Sequence, residues 1–310
     1  MLAGLTLAQL ALLLAAGVAL DFLLGEARRW HPLVGFGNFA SLIELHANHG
    51  AARRLRGVAA WLMAVLPLSV AAALLAGGGG YLVHAVLLYV CLGLRSLRDH
   101  NLPIAAALAA GDLSQARLLT ARIVSRDTAD AGETDLAKAS AESLLENGND
   151  AVFGTLFWFI VAGGAGAVLF RLANTLDAMW GYRNARFNMF GWAAAGIDDA
   201  LNFIPARLTA LSYVVLAGDR AAAWRCWRLQ APQWPSPNGG PVMASGAGGL
   251  GLALGGSATY DGVPEMRPAL GCGRPASAAD IGRAWVLVRR TTVLWLGVAA
   301  LAGLGSALHA

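Results

Sequence analysis

Three carboxylates recur along one predicted helix in the stretch "DLAKASAESLLENGND", residues 135–150. Glu142, Glu146 and Asp150 are four residues apart, so an α-helix would bring them to one side. Like charges at this spacing repel one another by a few tenths of a kcal/mol. A bound cation would relieve the repulsion, and magnesium prefers carboxylate oxygens. The pattern indicates a site for Mg²⁺ or a substrate amine, and a solvated acidic face is the alternative.

A second polar cluster follows directly on an apolar stretch, in residues 171–191. Arg171, Asn174 and Asp177 are three residues apart and therefore share a broad helical face. Arg183 follows among several aromatic residues. The alternative is an interfacial helix whose aromatic side chains anchor at lipid headgroups. That alternative does not explain why Asn174 and Asp177 lie so close to the hydrocarbon region of the membrane.

A third cluster lies in "GIDDALNFIPARLTA", residues 196–210. Asp198 and Asn202 are one helical turn apart, Asp199 is adjacent, and Arg207 follows. Two neighbouring carboxylates at the head of an apolar helix are costly unless they are paired or bind a metal. The alternative is that the aspartates complement the helix dipole in the first turn. That alternative leaves Arg207 unexplained.

A glycine-rich segment could bind phosphate through its backbone. The sequence "GAGGLG", residues 246–251, matches GxGxxG, but no predicted strand precedes it, so a dinucleotide-binding fold is not indicated. Asn238 and Gly239, in "SPNGG", could present backbone N–H groups to a phosphate. The alternative is a plain flexible loop. Because residues 232–275 are rich in Gly and Pro, we predict a loop over the whole segment, which only packing or a ligand could order.

The composition sets the frame for these clusters. Of 310 residues, 57% are hydrophobic and 14% are charged, against about 25% charged in a soluble domain. The mean hydropathy is +0.55. These values indicate an integral membrane protein. The net charge of +4 is scattered among loops, which does not indicate a nucleic-acid partner. Three widely spaced cysteines without a CxxC motif indicate neither a disulfide framework nor a zinc site.

Spanning a bilayer takes about 20 mostly apolar residues, and six segments approach that length. They are residues 2–24, 57–76, 81–97, 151–170, 200–217 and 291–308. We therefore predict an all-α, polytopic membrane protein, 1–310, that forms a single membrane-embedded domain with about four to six membrane segments. The first segment is expected to be retained as a span and not cleaved as a signal peptide.

The arginine-rich stretches predict the orientation of the chain. Residues 25–56, 98–150 and 218–290 hold most of the loop arginines, so all three are expected to be cytoplasmic loops. If 151–170 and 200–217 both crossed the membrane, the polar cluster between them would lie on the far side.

The favoured interpretation is that 151–170 is two half-helices joined at Gly163–Gly166, which enter the membrane and return. Such broken helices occur where they are buried in protein or line a wet cavity. Residues 200–217 would then have to re-enter too. Asn202 and Arg207 support this interpretation, since both need a wet or paired environment.

Taken in chain order, the motifs resemble a known family. They are Asp21 with Gly25 and His31-Pro32; "SRDTA" (125–129); "AESLLENGND" (141–150); "RLANTLDAMWGYRN" (171–184); "FGWAAAGIDDALNFIPARLT" (190–209); and "SPNGGPVMASGAGGLGLALGG" (236–256), ending near "RPALG". The chain resembles the CobD/CbiB family, the adenosylcobinamide-phosphate synthases of cobalamin biosynthesis. It departs from the family pattern before the paired aspartates, where Gly196-Ile197 replaces a common Arg-Leu.

The resemblance implies an enzyme of the cytoplasmic (inner) membrane, with its site facing the cytoplasm. It implies an ATP-dependent amide ligation, which joins adenosylcobyric acid to (R)-1-amino-2-propanol or its O-phosphate. A carboxylate is a poor electrophile and must be activated, for instance as an acyl phosphate, which calls for Mg²⁺ and cationic side chains around the phosphates. The expected cofactors are ATP and Mg²⁺. The expected partners are the bilayer, later corrinoid enzymes of the pathway and a second copy of the chain.

The residues carried into the candidate site fall into three overlapping sets. The candidate catalytic residues are Glu142, Glu146, Asp150, Asn174, Asp177, Asp198, Asp199 and Asn202. The candidate cofactor-binding residues are Arg126, Arg171, Arg183, Arg207, Asn238 and Gly239. The candidate metal ligands are Glu142, Glu146, Asp150 and Asp177. One of the acids is expected to deprotonate the amine. A transporter or channel is the alternative class, since broken helices and intramembrane charges also occur there, and a scaffold for soluble corrinoid enzymes is a third.

Overall fold

The computed structural model describes residues 3–26 and 31–309, and it is mostly helical with one small sheet. The predicted loop arginines Arg28 and Arg29 lie outside the described residues. The helices are α1 (Leu7–Leu24), α2 (Pro32–Ala47), α3 (Arg53–Cys91), α4 (Leu94–Ala109), α5 (Leu113–Thr120), α6 (Glu133–Gly148), α7 (Gly154–Trp180), α8 (Trp192–Leu216), α9 (Arg220–Gln230), α10 (Gly239–Leu250) and α11 (Ala278–Leu308). A π-helical turn, Asn149–Phe153, joins α6 to α7, and a 3₁₀ turn, Ala231–Gln233, follows α9. The predicted helical fold is confirmed.

Within the described ranges, four helical stretches are long and apolar enough to cross a membrane. They are Leu7–Leu24, Arg53–Ala109, Glu133–Trp180 and Ala278–Leu308. The second combines α3 with α4, and the third combines α6 with α7 across the π-helical turn. Four such stretches agree with the predicted membrane protein. The predicted segment 200–217 lies in α8, which is not among them.

The chain divides into two compact units, and the first contains Met1–Gly93, Asp150–Asn202 and Leu296–Ala310. Its core is formed largely where α3 packs against α7. Trp61, Ala64 and Val65 on α3 are buried in one cluster with Leu176 and Trp180 on α7. Between helices in a bilayer such contacts stabilise mainly through van der Waals packing, because lipid tails are as apolar as these side chains. This packing fixes the C-terminal part of α7, which carries part of the second polar cluster.

Helix α7 is broken where the sequence predicts a break. Gly163 has φ 62° and ψ −152°, which interrupts the helix. A Cβ at Gly154 would lie 2.2 Å from Cζ of Phe170, and one at Gly166 would lie 2.2 Å from the carbonyl oxygen of Trp158. These two pairs are symmetric about residue 162, so the chain turns back there as two antiparallel half-helices. The predicted break within 151–170 is confirmed.

The prediction that residues 200–217 also enter the membrane and turn back is wrong. Helix α8 runs without interruption from Trp192 to Leu216, although Pro205 lies inside it. It offers no break at which the chain could turn back. A proline removes one backbone donor and tends to kink a helix, but it does not reverse the chain as the positive φ of a glycine can.

Helix α3 is also interrupted, at Gly80, where φ is 68° and ψ is −164°. Four residues later, His84 is buried against the break in α7. Its Nδ1 accepts a hydrogen bond from the backbone N–H of Gly164 at 3.0 Å. The first N–H groups of a helix have no partner within it, so His84 caps the second half of α7.

The second unit contains Leu94–Asn149 and Phe203–Trp295. Helices α9 and α10 pack closely in it because eight of the twelve residues of α10 are Gly, Ala or Ser. A Cβ at Gly248 would lie 2.9 Å from the Cβ and the Sγ of Cys226. Glycine therefore lets the two helix backbones approach each other. Cys226 and Cys272 are free thiols, as is Cys91, and burial followed by a hydrogen bond with Cys272 raises the pKa of Cys226 to about 12.

The predicted loop over 232–275 is wrong for most of its length. Residues 239–250 form α10, and strand β1 (Leu252–Tyr260) pairs antiparallel with strand β2 (Val263–Gly271). The short strand β3 (Arg274–Pro275) pairs parallel with the start of β1, so the strand order is β2-β1-β3. Asp261 and Gly262 both have positive φ at the turn, as a tight hairpin requires. The glycines indicate close packing and a tight turn here, where the sequence suggested flexibility, and the sheet is an addition to the all-α prediction.

Candidate active site

The first polar site is the α7–α8 cluster, which lies within the first unit. It consists of Asp150, Arg171, Asn174, Asp177, Asp198, Asp199 and Asn202. Arg171, Asn174 and Asp177 lie on successive turns of the second half of α7. The two aspartates and Asn202 lie in the first half of α8. Helical spacing therefore places each trio on its own helix face, as the sequence predicts.

Hydrogen bonds connect the two helices through amides. Arg171 Nη1 donates to Asn174 Oδ1 at 3.2 Å, and Asn174 Nδ2 donates to Asp198 Oδ1 at 3.4 Å. Asn202 Nδ2 donates to the other carboxylate oxygen of Asp198 at 3.1 Å. Asp198 is buried, at 7% exposure. Two amides thus solvate a buried carboxylate.

The cluster is rich in negative charge, and one of its donors is unused. Asp198 lies within electrostatic range of Asp150 and Asp177, and Asp177 within range of Asp199. Arg171 is a cation within electrostatic range of Asp150 and Asp198. The Nε of Arg171 is buried and has no hydrogen-bond partner among the described residues. Buried donors are nearly always satisfied in folded proteins, so an oxygen of a bound ligand would complete this one.

Asp150 reaches the cluster from an irregular backbone segment. It lies in the π-helical turn Asn149–Phe153 that joins α6 to α7. Single π-helical turns are rare and occur frequently at functional sites. Within the first unit, the carbonyl of Ala151 accepts a hydrogen bond from the N–H of Gly93 at 3.1 Å. This contact holds the turn against the end of α3.

The second site lies in the second unit, and we call it the Glu142 clasp; it consists of Arg126, Glu142, Gly255 and Arg267. Arg267 donates to Glu142 through Nη1 at 2.9 Å and Nη2 at 3.2 Å, and Arg126 also forms a salt bridge with it. The backbone N–H of Gly255 donates to Glu142 Oε1 at 2.7 Å. The Glu142 side chain is 3% exposed. Both carboxylate oxygens are occupied by protein donors, so this carboxylate fits a structural role better than that of an open metal ligand.

Two cavities border the clasp, and Arg126 lines both. One has a volume of about 400 Å³ and is lined by Glu146, Trp234, Tyr260 and Arg267 among others. The other has a volume of about 640 Å³ and lies between α6 and β1. Arg267 was not predicted as a site residue. The sequence feature that could have identified it is its position in "RPALG", the last motif of the resemblance.

Arg207, Asn238 and Gly239, three of the candidate cofactor-binding residues, are brought together in the second unit. Arg207 Nη1 donates to Asn238 Oδ1 at 2.5 Å, and Nη2 donates to the carbonyl of Pro237 at 2.9 Å. Its guanidinium group lies 3.7 Å from the ring centre of Phe203. The N–H of Gly239 donates to Ser236 Oγ at 3.0 Å. Arg207 therefore fixes the start of α10.

The remaining predicted residues are placed as follows. Arg183 is exposed in the segment between α7 and α8. Glu146 lies beside Gly239, because a Cβ there would come within 2.7 Å of Glu146 Oε1. Across the described part of the chain, no three His, Cys, Asp or Glu side chains are arranged to hold a metal by themselves. Mg²⁺ commonly uses one or two carboxylates plus phosphate oxygens and water. The acids of the α7–α8 cluster fit that kind of shared coordination.

Comparison with known proteins agrees with these motifs. The family model described as CobD/Cbib protein matches residues 14–288. Cobalamin biosynthesis protein CobD of Stutzerimonas stutzeri is 57% identical over 281 residues, which cover 89% of this chain and 92% of the relative. The CobD of Chromobacterium violaceum is 53% identical over 310 residues, covering 97% and 99%. That of Mycobacterium tuberculosis is 37% identical over 292 residues, covering 92% of each chain.

No solved structure matches this chain. The family match covers most of the length, and the relatives are similar over nearly their whole length. The α7–α8 cluster and the Glu142 clasp both fall within the matched residues. The chain therefore belongs to the CobD/CbiB family and is an integral membrane protein of cobalamin biosynthesis.

Proposed function

We propose that this chain is an acid–amine ligase that forms an amide bond, with ATP and Mg²⁺, between adenosylcobyric acid and (R)-1-amino-2-propanol or its O-phosphate. Family membership supports the corrinoid pathway. The observation that carries the reaction is the α7–α8 cluster. There a buried Asp198 is held by two amides beside Arg171, whose Nε has no partner among the described residues. Such a cluster suits a charged, oxygen-rich ligand.

The chemistry determines what the residues must do. A phosphoryl group of ATP passes to the corrinoid carboxylate and forms an acyl phosphate with release of ADP. The amine nitrogen then attacks the acyl carbon, the C–N bond forms, and the C–O bond to phosphate breaks with release of inorganic phosphate. The amine arrives protonated and must lose protons before or during attack. The protein must therefore position two substrates and accept a proton.

The α7–α8 cluster offers groups for each task. Asp198 is fully engaged by Asn174 and Asn202, so we assign it a positioning role. Asp177 is only half-buried, and its carboxylate accepts no hydrogen bond from another side chain in the described part of the chain. We assign it the contact with the substrate ammonium. Arg171 would hold a carboxylate or phosphate oxygen, for which its planar group is suited. When bound, Mg²⁺ would neutralise phosphate charge at the half-buried acids.

The test is product analysis with purified, detergent-solubilised protein. The reaction would contain adenosylcobyric acid, aminopropanol phosphate, ATP and Mg²⁺, with the free amine in a parallel sample. We expect a corrinoid whose mass has increased by the condensed amine, and one ADP for each product. Omission of ATP or Mg²⁺ should remove the product. A folded protein that releases no product with either amine would contradict the proposal.

A transporter is the second candidate, and the broken helices favour it. Both α3 and α7 carry an interruption, at Gly80 and Gly163, and such discontinuous helices are common in transporters. A cavity of about 600 Å³ lies beside these two breaks. Uptake of a corrinoid by proteoliposomes, without ADP formation and without a mass change, would support this class. Chemistry without uptake would exclude it.

A further inference from the structure

Helix α9 presents an outward face of alternating arginine and apolar side chains. Trp224 is 48% exposed and Leu229 is 63% exposed. The arginines at 220, 225 and 228 are exposed on the same side of the helix. The guanidinium group of Arg228 lies 6.0 Å from the ring centre of Trp224. Arginine with tryptophan on one helix face is typical of a helix that lies in the membrane interface.

The opposite face of α9 fixes this orientation. Ala222, Ala223 and Cys226 are buried, and they pack against the glycines of α10. Asp219 caps the helix, because its side chain accepts a hydrogen bond from the N–H of Ala222 at 2.9 Å. The arginines and Trp224 therefore remain outside the protein core.

The segment that precedes α9 indicates which environment the exposed face of α9 contacts. Within the second unit, α8 exposes an apolar ridge formed by Ile204, Leu208, Leu211 and Val215. The ridge ends five residues before Arg220. Arg220 and then Trp224 follow along the chain, and basic and aromatic side chains concentrate at the headgroup level of a membrane.

The charge of the face is not neutralised by the protein. Within the described ranges, none of the arginines at 220, 225 and 228 forms a salt bridge. Arg228 also lines a cavity of about 480 Å³, whose walls include Trp227, Trp234 and several prolines. Arg207 lines the same cavity. Cationic groups beside tryptophan and proline side chains suit a phosphate whose attached chains are apolar. Anionic phospholipid has this chemistry.

We propose that α9 lies in the membrane interface and binds the headgroups of anionic phospholipids through Arg220, Arg225 and Arg228, with Trp224 and Leu229 inserted beside them. Each basic residue near an anionic surface contributes a binding free energy equivalent to about a fivefold change in affinity. The binding is therefore expected to weaken as salt is raised. The proposal concerns the lipid contact and is independent of the reaction.

The test uses the full chain in nanodiscs of phosphatidylcholine, with or without phosphatidylglycerol, and follows hydrogen exchange. We expect the backbone amides of 219–230 to gain protection when phosphatidylglycerol is present. Arg225→Gln should reduce this gain, and Arg220→Gln/Arg225→Gln/Arg228→Gln should abolish it. Arg122→Gln, which changes another exposed arginine of the second unit, should leave it intact.

Three outcomes would overturn the proposal. The first is equal protection in the two lipid mixtures. The second is an unchanged gain in the triple variant. The third is the same gain in detergent on addition of glycerol phosphate, which would indicate a site for soluble phosphates. If the triple variant does not fold, the comparison of Arg225→Gln with Arg122→Gln still tests the proposal, because each variant changes a single exposed side chain.

Discussion

The side-chain amide of Asn174 donates a hydrogen bond to the carboxylate of Asp198, with 3.4 Å between Nδ2 and Oδ1. The two residues are 24 positions apart in sequence, on α7 and α8. Asn202 completes the solvation of the same carboxylate from within α8. The contact therefore aligns the two helices that carry three of the six candidate catalytic acids, Asp177, Asp198 and Asp199. A substitution that removes this contact should therefore reduce activity more than it reduces the stability of the fold.

The first prediction concerns Asn174. Asn174→Ala removes one of the two amides that solvate Asp198, and a hydrogen bond to a charged group contributes about 1.5–3 kcal/mol. We expect product formation to be lost while the protein still inserts into membranes. Mass spectrometry of the corrinoid product measures this. Asn188→Ala is the matched control, because Asn188 is an exposed asparagine of the same unit. Normal turnover by Asn174→Ala would remove the cluster from the proposed site.

The second prediction concerns the Glu142 clasp. Glu142→Gln keeps the shape of the side chain but leaves Arg126 and Arg267 without their shared counterion. Removing one partner of a buried ion pair costs about 3–5 kcal/mol. We expect a lower unfolding midpoint and faster hydrogen exchange in the β1–β2 hairpin. Glu265→Gln is the control, since Glu265 is an exposed carboxylate on β2.

The direct contact in the clasp also predicts that the stability losses caused by substituting Glu142 and Arg267 are not additive. If Glu142 holds Arg267 directly, the double variant Glu142→Gln/Arg267→Gln should lose less stability than the two single variants lose together. Additive losses would contradict a direct contact. A Mg²⁺ requirement that disappears in Glu142→Gln, with stability unchanged, would return Glu142 to the set of metal ligands.

The sequence predicted the polar clusters better than it predicted the segment after residue 232. Helical spacing was enough to group Arg171, Asn174 and Asp177, because the period of a helix is fixed. The glycine run at 163–166 predicted the break in α7 because glycine alone adopts positive φ without strain. Glycines are ambiguous, however. In α10 they let helices approach closely, and in β1 they allow a bulge at Gly255. The sequence alone cannot distinguish either role of glycine from a flexible loop, because the segment that packs against it is not known.

The role of Glu142 could not be predicted for a related reason. Its four-residue spacing from Glu146 and Asp150 is visible in the sequence. The three groups that bind it, at positions 126, 255 and 267, come from segments far apart in the chain. Only the fold brings them together. Whether a carboxylate is open to a metal or closed by arginines therefore depends on long-range contacts that spacing does not contain.

The third prediction tests the reversal in α7. Gly166→Ala would place a Cβ 2.2 Å from the carbonyl oxygen of Trp158, which is backbone and cannot rotate away. Overpacking of this kind costs about 1–3 kcal/mol, so we expect a lower unfolding midpoint in detergent. Gly196→Ala on α8 meets no atom within 4 Å and should be neutral or stabilising, since alanine favours helices. Equal effects of the two changes would contradict the antiparallel arrangement of the half-helices.

The fourth prediction concerns the pH dependence of stability, through Glu44 on α2. Arg186 donates to this carboxylate through Nη2 at 2.6 Å and Nε at 3.1 Å, and Asn48 Nδ2 donates to it at 2.6 Å. The hydrogen bond from Arg186 is the main cause that lowers the pKa of Glu44 below its usual 4.5, against burial, which raises it. A carboxylate with a lowered folded-state pKa stabilises the protein fully above its unfolded pKa. That stabilisation is lost as the pH falls through the folded pKa.

The difference in unfolding midpoint between wild type and Glu44→Gln should therefore be constant near neutral pH and shrink below about pH 4.5. Arg186→Gln should give the same profile, because it removes the partner that lowers the pKa. Thermal unfolding in detergent at a series of pH values measures both. A difference that stays constant down to about pH 3 would mean that Glu44 gains nothing from its charge in the folded protein. In that case the contact between α2 and the segment after α7 would rest on the amide of Asn48 and the packing around it.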